Sequence, residues 1–270
     1  MNRARITALI GKELREFRAN PSAIIPVVLV IAVCLALPFV VLILMPRLTG
    51  ESLASDPVLR KAIEFATVYV PGLAELPPAA AAEAFLFQQF LLLFLVAPIV
   101  GAVSLAAYSV VGEKQGRTLE PLLTTPLTTV ELLLSKVLAA FLPSLVIEAA
   151  GLLVYLVLVK AFAASGVLGS IFTVRTALLV GGIGPFATLA ALQATIAVSS
   201  RVNDARSAQQ IAVLIVLPLV GMLLGQVAGA FIVTTPLLVM VMLALAATWI
   251  VLLFLSVALF QRETILTRWR

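Results

Sequence analysis

The sequence predicts an all-α integral membrane protein: six transmembrane helices with both termini cytoplasmic, an amphipathic N-terminal interfacial helix, and a short cytoplasmic helix between spans 2 and 3. Three observations carry this. Of 270 residues, 62% are hydrophobic and 11% charged, with a mean hydropathy of +1.18, a balance that water-soluble globules do not show. Apolar runs of about 18 residues or more recur, each long enough to cross ~30 Å of hydrocarbon as a helix. The basic residues gather at the ends of these runs and are biased to one side.

Residues 1–20 read as an interfacial helix. At 100° per residue, Ile6, Leu9, Ile10, Leu14 and Phe17 share one face, while Arg5, Lys12, Arg15 and Arg18 lie around the other. Glu13 is the exception, because it projects from the apolar face. It either pairs with a neighbouring Arg on its own helix or contacts a partner or the cytoplasmic loops. The charged region is too long, and the following apolar run too extended, for a secretory signal peptide.

Apolar runs bounded by charge and Pro place the spans at about 22–46, 85–111, 137–160, 176–199, 209–229 and 236–260 within a single domain, 1–270. The last two are parted only near "GAFIVTTP", so that 227–237 reads as either a short outer turn or a re-entrant hairpin. An even number of spans puts the termini on one side. That side carries Arg3, Arg5, Lys12, Arg15, Arg18, Lys114, Arg117, Lys136, Arg201, Arg206, Arg262, Arg268 and Arg270; the other carries Arg47, Arg60, Lys61, Lys160 and Arg175. The positive-inside rule makes the richer side cytoplasmic.

The extracytoplasmic segment 47–84 contains a short helix beginning near "SDPVLRKAIEFA", where Ser55 or Asp56 can cap and Pro57 suits the first turn. It reads as a lid or packing element along the outer leaflet. On the cytoplasmic side, the insert 112–136, "GEKQGRTLEPLLTTPLTTVELLLSK", begins with Gly112 and Gly116. Leu119, Leu122 and Leu123 then share a face on a turn or two of helix that ends at Pro126. Thr128 and Glu131 form an S/T-x-x-E capping box that starts the next helix in water. A short helix tied to two spans suits force transmission from a soluble partner; the plain alternative is an ordinary loop with well-made caps.

Inside the bilayer, Glu148 falls near the centre of the third span, where a charge costs on the order of 2.5–3.5 kcal/mol on insertion scales. It faces protein or water, either lining a polar route or held neutral by a neighbour such as Gln193 or Gln226. Gln88 and Gln89 open the second span near the outer surface; Gln193 and Gln226 sit deeper, as amides that join helices. "GGIGP" at 181–185 loosens the fourth span or allows close packing, and Pro98, Pro143 and Pro218 can bend theirs.

Composition also excludes. The net charge of +5 and pI near 9.8 come from scattered basic residues rather than one patch with interleaved aromatics, so orientation in the bilayer explains them better than nucleic acid. The lone Cys34 cannot form an internal disulfide. The absence of His rules out Ser-His-Asp and Cys-His catalysis and His-ligated metal. No metal ligand set and no catalytic residue is proposed.

The insert resembles the cytoplasmic loop of ATP-binding-cassette exporter permeases of the type-2 class, whose pattern is E(K/R)xxGTLExLLxxP(L/I)xxxxxLxxGK. Glu113, Lys114, Gly116, Thr118, Leu119, Glu120, Leu122, Leu123, Pro126 and Lys136 stand at matching places. Arg117 intervenes between Gly116 and Thr118, and Ser135 stands where Gly is common. "IGKELREFRANPSAII" is similar to the family's N-terminal helix, and "SSRVNDARSAQQIAVLIVLPL" resembles its loop into the fifth span, especially in sodium-efflux-type permeases.

The resemblance implies a permease of the cell membrane acting as a homodimer or pseudo-dimer of six-helix subunits. Each is docked on a nucleotide-binding ATPase subunit that holds ATP and Mg²⁺; this chain binds no cofactor. Glu113, Thr118, Leu119, Glu120, Leu122 and Leu123 are then the ATPase-coupling contact, and Lys12, Glu13 and Arg18 the partner contact on the N-terminal helix. Glu148, Gln193 and Gln226 are candidates for a substrate pathway. There is no G-x-x-x-x-G-K-[ST] phosphate loop, so ATP hydrolysis needs the separate subunit. The rival readings are an ATP-independent secondary transporter with Glu148 as its ion site and a non-transporting membrane scaffold; an intramembrane protease fits worst, without His or G-x-S-x-G.

Overall fold

The structure is a computed structural model that describes residues 3–50, 57–68, 70–118, 128–199, 202, 204–227 and 234–259; every regular element among them is helical. Helix α1 is Arg3–Ala19, and Pro21 at the first position of α2, Pro21–Phe39, marks the start of the first crossing. A widened π-helical turn, Val40–Leu44, carries α2 into α3, Met45–Thr49, which ends on Gly50 at φ +73°, its N–H returned to the Pro46 carbonyl at 2.9 Å. Helix α4, Pro57–Thr67, is the short helix expected with Pro57 in its first turn. Its candidate caps, Ser55 and Asp56, lie outside the described residues.

The second crossing is longer than the apolar pattern suggests. Helices α5, Pro78–Phe94, and α6, Val96–Gln115, form one rod interrupted at Leu95. The interruption lies just ahead of Pro98, which has no N–H to return to the carbonyl of Phe94. The rod starts at Pro78 rather than near 85, because the alanine run after Pro77 and Pro78 is strongly helix-forming and its small side chains let neighbours close over it. Gln88 and Gln89 are therefore not at the mouth of the span. They are buried mid-helix, with Gln88 Nε2 donating to the Ser170 carbonyl at 2.6 Å.

Helix α7, Thr129–Phe162, is the third crossing; short helices α8, Val167–Ile171, and α9, Val174–Leu178, then lead through a second π-helical turn, Leu179–Ile183, into α10, Gly184–Ser199. The glycines of "GGIGP" serve both readings given to them. The turn is widened, and the close approach is real: a Cβ at Gly182 would lie 2.6 Å from Met242 Sδ, and one at Gly184 2.9 Å from Glu148 Oε1. Helix α11, Ala205–Val227, occupies the place of the predicted fifth span, and α12, Thr235–Leu259, that of the sixth. Residues 228–233, which decide between turn and hairpin, lie outside the described residues.

Among the described residues, five helical stretches are long and apolar enough to cross a membrane: Ile24–Thr49, Pro78–Gln115, Thr129–Phe162, Val174–Ser199 and Thr235–Ala258. They are not equivalent. The α5–α6 rod is 78% buried in its most apolar window whereas α12 is 6% buried, so the former is the bundle core and the latter its periphery. Around α6 pack α2, α7, α10 and α11. Ile25, Val28 and Leu29 on α2, Val146, Leu153 and Val157 on α7, and Val251 and Phe254 on α12 all point outward. So much exposed apolar surface is untenable in water and is what lipid requires.

Candidate functional site

The chemistry of the chain concentrates where α1 meets α6 and α7. The apolar face of α1 docks on the protein rather than on lipid alone: Phe17 is buried, and Ile10 and Leu14 pack beside it, against Ala106, Val110, Leu132, Leu133 and Val137. This docking carries Glu13 into the interior, 2% exposed. Its partner is not an Arg of its own helix but Lys136, whose Nζ lies 2.8 Å from Glu13 Oε1. The same Nζ donates to Ser109 Oγ at 2.7 Å and forms a second ion pair with Glu113 Oε2 at 2.8 Å. Lys12 completes the cluster, 2.5 Å from Glu113 Oε1, and also approaches Glu16 at 3.4 Å.

The result is a chain of alternating charge, Lys12–Glu113–Lys136–Glu13, that joins residues more than a hundred positions apart in sequence. Two cations balance two carboxylates, so the cluster is neutral as a whole. An isolated charge at such depth would cost several kcal/mol; each of these has an opposite charge in contact. Burial pushes the Glu13 carboxyl up, but the ammonium of Lys136, helped by Ser109 and Lys12, outweighs it and holds the group below its ordinary 4.5. For Lys12, burial works to lower the value, and the hydrogen bond and charge of Glu113, with Glu13 and Glu16, overcome it, so the group stays protonated above its ordinary 10.5.

The local sequence explains how the partners are presented. Helix α7 begins at Thr128 through the expected capping box, with Glu131 N–H donating to Thr128 Oγ1 at 3.2 Å and Thr128 N–H to Glu131 Oε2 at 3.1 Å. That fixes the phase of α7, and Lys136 falls on its inner face beside Ser135, whose hydroxyl donates to the Glu131 carbonyl at 2.6 Å. Helix α6 closes with a Schellman pair: Thr118 N–H to Glu113 O at 3.0 Å and Arg117 N–H to Lys114 O at 3.2 Å. The residue at the left-handed position is Arg117, φ +53°, the one that interrupts the family pattern. Lys114 reaches the other way and donates to the Val202 carbonyl at 2.8 Å, at the carboxyl end of α10. The ends of α6, α7 and α10 and the whole of α1 are thereby joined at one end of the bundle.

Of the residues singled out in the sequence, Lys12, Glu13 and Glu113 come together here. Glu113 is 4% exposed and faces inward onto two lysines, so its carboxylate holds helices together rather than presenting a surface. Thr118 is exposed at the end of the Schellman pair, and Arg18 is exposed in the last turn of α1. Leu119, Glu120, Leu122 and Leu123 lie outside the described residues. Glu148 is 4% exposed on α7 with Oε1 against Gly184, and among the described residues that oxygen has no hydrogen-bond partner. Gln193 is fully buried on α10, its amide also unpartnered among the described residues, so it does not neutralise Glu148. The side chain of Gln226 lies outside the described residues.

The residues not picked out as site residues are Lys136, Ser109 and Lys114. Lys136 left a signal: a single cation in "LLLSKVLAA" must find an anion once the helix is buried. Nothing in this constellation offers a solvent-open nucleophile or an acid–base pair; it is a joint between helices. The family model described as ABC-2 family transporter protein matches residues 7–235, a stretch that runs from α1 to the first residue of α12. No curated protein and no solved structure matches the chain. With a multi-helix membrane body and a match over most of its length, the chain belongs to the ABC-2 family of transporter proteins.

Proposed function

We propose that this protein is the permease subunit of an ATP-driven exporter, receiving work from a separate nucleotide-binding subunit through the insert 112–136 and the N-terminal helix. The observation that carries the reading is the Lys12–Glu113–Lys136–Glu13 cluster, buried except for Lys12, because it joins the N-terminal helix to both helices that flank the insert. A push on the insert or on α1 then moves α6 and α7 as one body. Thr118, Leu119, Glu120, Leu122 and Leu123 supply the contact surface in this reading. Glu113, Lys12 and Glu13 carry the displacement inward, and Arg18 extends the contact along α1.

On the same reading six helices cross the cell membrane, with α11 as the fifth, both termini and the insert face the cytoplasm, and two copies enclose the export route. ATP and Mg²⁺ belong to the partner. Closure of two ATPase subunits switches the route between inward and outward access; the cargo, such as sodium or another cation, a drug-like amphiphile, a lipid or a glycan carrier, is set elsewhere. One observation favours a second reading, transport driven by an ion gradient: the buried Glu148 oxygen without a partner among the described residues. The two part cleanly. Replacing Leu119 and Glu120 by Ala abolishes association with the ATPase while membrane insertion is unchanged; full coupling in that variant would refute the assigned contact.

A further inference from the structure

The bundle carries a second constellation at the end remote from the ion cluster. Between α2 and α7 lies a groove of about 370 Å³, within the range of small-molecule sites. One wall is Ala32, Ala36, Phe39 and Ile43, spaced four, three and four residues apart along one face of α2 and its π-helical turn; the other is Leu158 and Phe162 near the end of α7. The two alanines create the hollow, since their methyl groups leave the trough that larger side chains would fill. Its floor is rigid: Phe39 stacks edge-on to Tyr155 at 5.8 Å and to Phe162 at 6.5 Å, and the Tyr155 hydroxyl is fixed on the Phe87 carbonyl at 2.8 Å. Among the described residues, one charge touches the groove. It is Arg47, in α3, at the mouth, and no carboxylate among the described residues pairs with it.

We propose that this groove is a binding site for an anionic phospholipid, with one acyl chain along α2 and the phosphate on Arg47. Three features choose this occupant. From Ala32 to Arg47 the face runs about 20 Å at 1.5 Å per residue, enough to hold a chain through one leaflet of roughly 15 Å, half of the ~30 Å core. Exposed Val33, Leu37, Val40 and Leu44 flank the groove, so it opens onto the lipid-facing surface and is filled from the bilayer. A guanidinium at the depth of the headgroups grips phosphate through paired donors, whereas a neutral amphiphile leaves it unmatched, and free phosphate leaves the apolar trough empty.

The test uses the full chain in mild detergent, offered equimolar dioleoylphosphatidylglycerol and dioleoylphosphatidylcholine, with retained lipid counted by native mass spectrometry. The wild type retains phosphatidylglycerol about fivefold better, the ratio expected from one basic residue near the surface. Arg47→Gln brings the ratio to parity, and Ala36→Phe, which fills the trough from an exposed position, lowers retention of both lipids. Because the arginines of α1 also attract anionic headgroups, a phosphatidylglycerol with a photoreactive acyl chain locates the bound molecule; crosslinks fall on α2 and the end of α7. Equal retention by the wild type, or a preference that survives Arg47→Gln, overturns the site. So do crosslinks absent from these helices while Ala36→Cys forms a disulfide between copies, which assigns the groove to a second copy of the chain.

Discussion

Lys136 is the residue on which most depends. It is 2% exposed, and its ammonium holds Glu13, Glu113 and Ser109 at once. Lys136→Met leaves two buried carboxylates facing each other with only Lys12 between them, and should cost about 3–5 kcal/mol, read as a lowered thermal midpoint in detergent. Lys12→Met, at a side chain one third exposed, should cost about 1 kcal/mol or less in the same assay. Equal losses would show that the cluster is not organised around Lys136. Acid and base act at opposite edges of its range. Glu13 has a folded value below 4.5, so its contribution is complete above that and disappears only as pH falls through the depressed value. Lys12 has a folded value above 10.5, so its contribution is complete below that and disappears as pH rises through the raised value. Hydrogen exchange of α1 should therefore be flat between about pH 5 and 10 once corrected for intrinsic rate; undocking near neutrality would contradict the assignment.

At the scale of elements, the contact between α7 and the bend before α10 is the most sensitive joint. A methyl group at Gly184 would stand 2.9 Å from Glu148 Oε1 and 3.2 Å from Leu95 Cδ2. Gly184→Ala should destabilise by about 1–3 kcal/mol, and less in a Glu148→Ala background, a non-additivity that a double-mutant cycle of thermal midpoints measures. Purely additive losses would mean the carboxylate is not what fills the space. The elements also show what a sequence discloses. The capping box at Thr128 and the Pro57 helix depend on neighbours a few residues away, and both were legible. The start of α5 was not, because alanines that look too plain for a span form helix readily once other helices cover them. Glu13 stood out on an apolar face, but its pairing with Lys136 depends on how α1 lies across α6 and α7, a relation across 123 positions that no local pattern contains.

At the scale of the molecule, a buried central rod and peripheral helices exposed to lipid describe a body whose buried ion pairs, among the described residues, gather at one end. Composition and run length disclosed that body, and the insert motif disclosed the family; the joint between α1, α6 and α7 emerged only from packing. The proposed function requires that this body move under work done by another protein. Purifying the intact chain from its native membrane in mild detergent, then assaying the preparation for bound protein and ATP hydrolysis, tests it most directly. A nucleotide-binding subunit with a phosphate loop is expected at near-equal amount, with ATP turnover that is lost with it when Leu119 and Glu120 are replaced. A chain that purifies without any ATPase, yet moves its cargo in vesicles on an ion gradient alone, would contradict it.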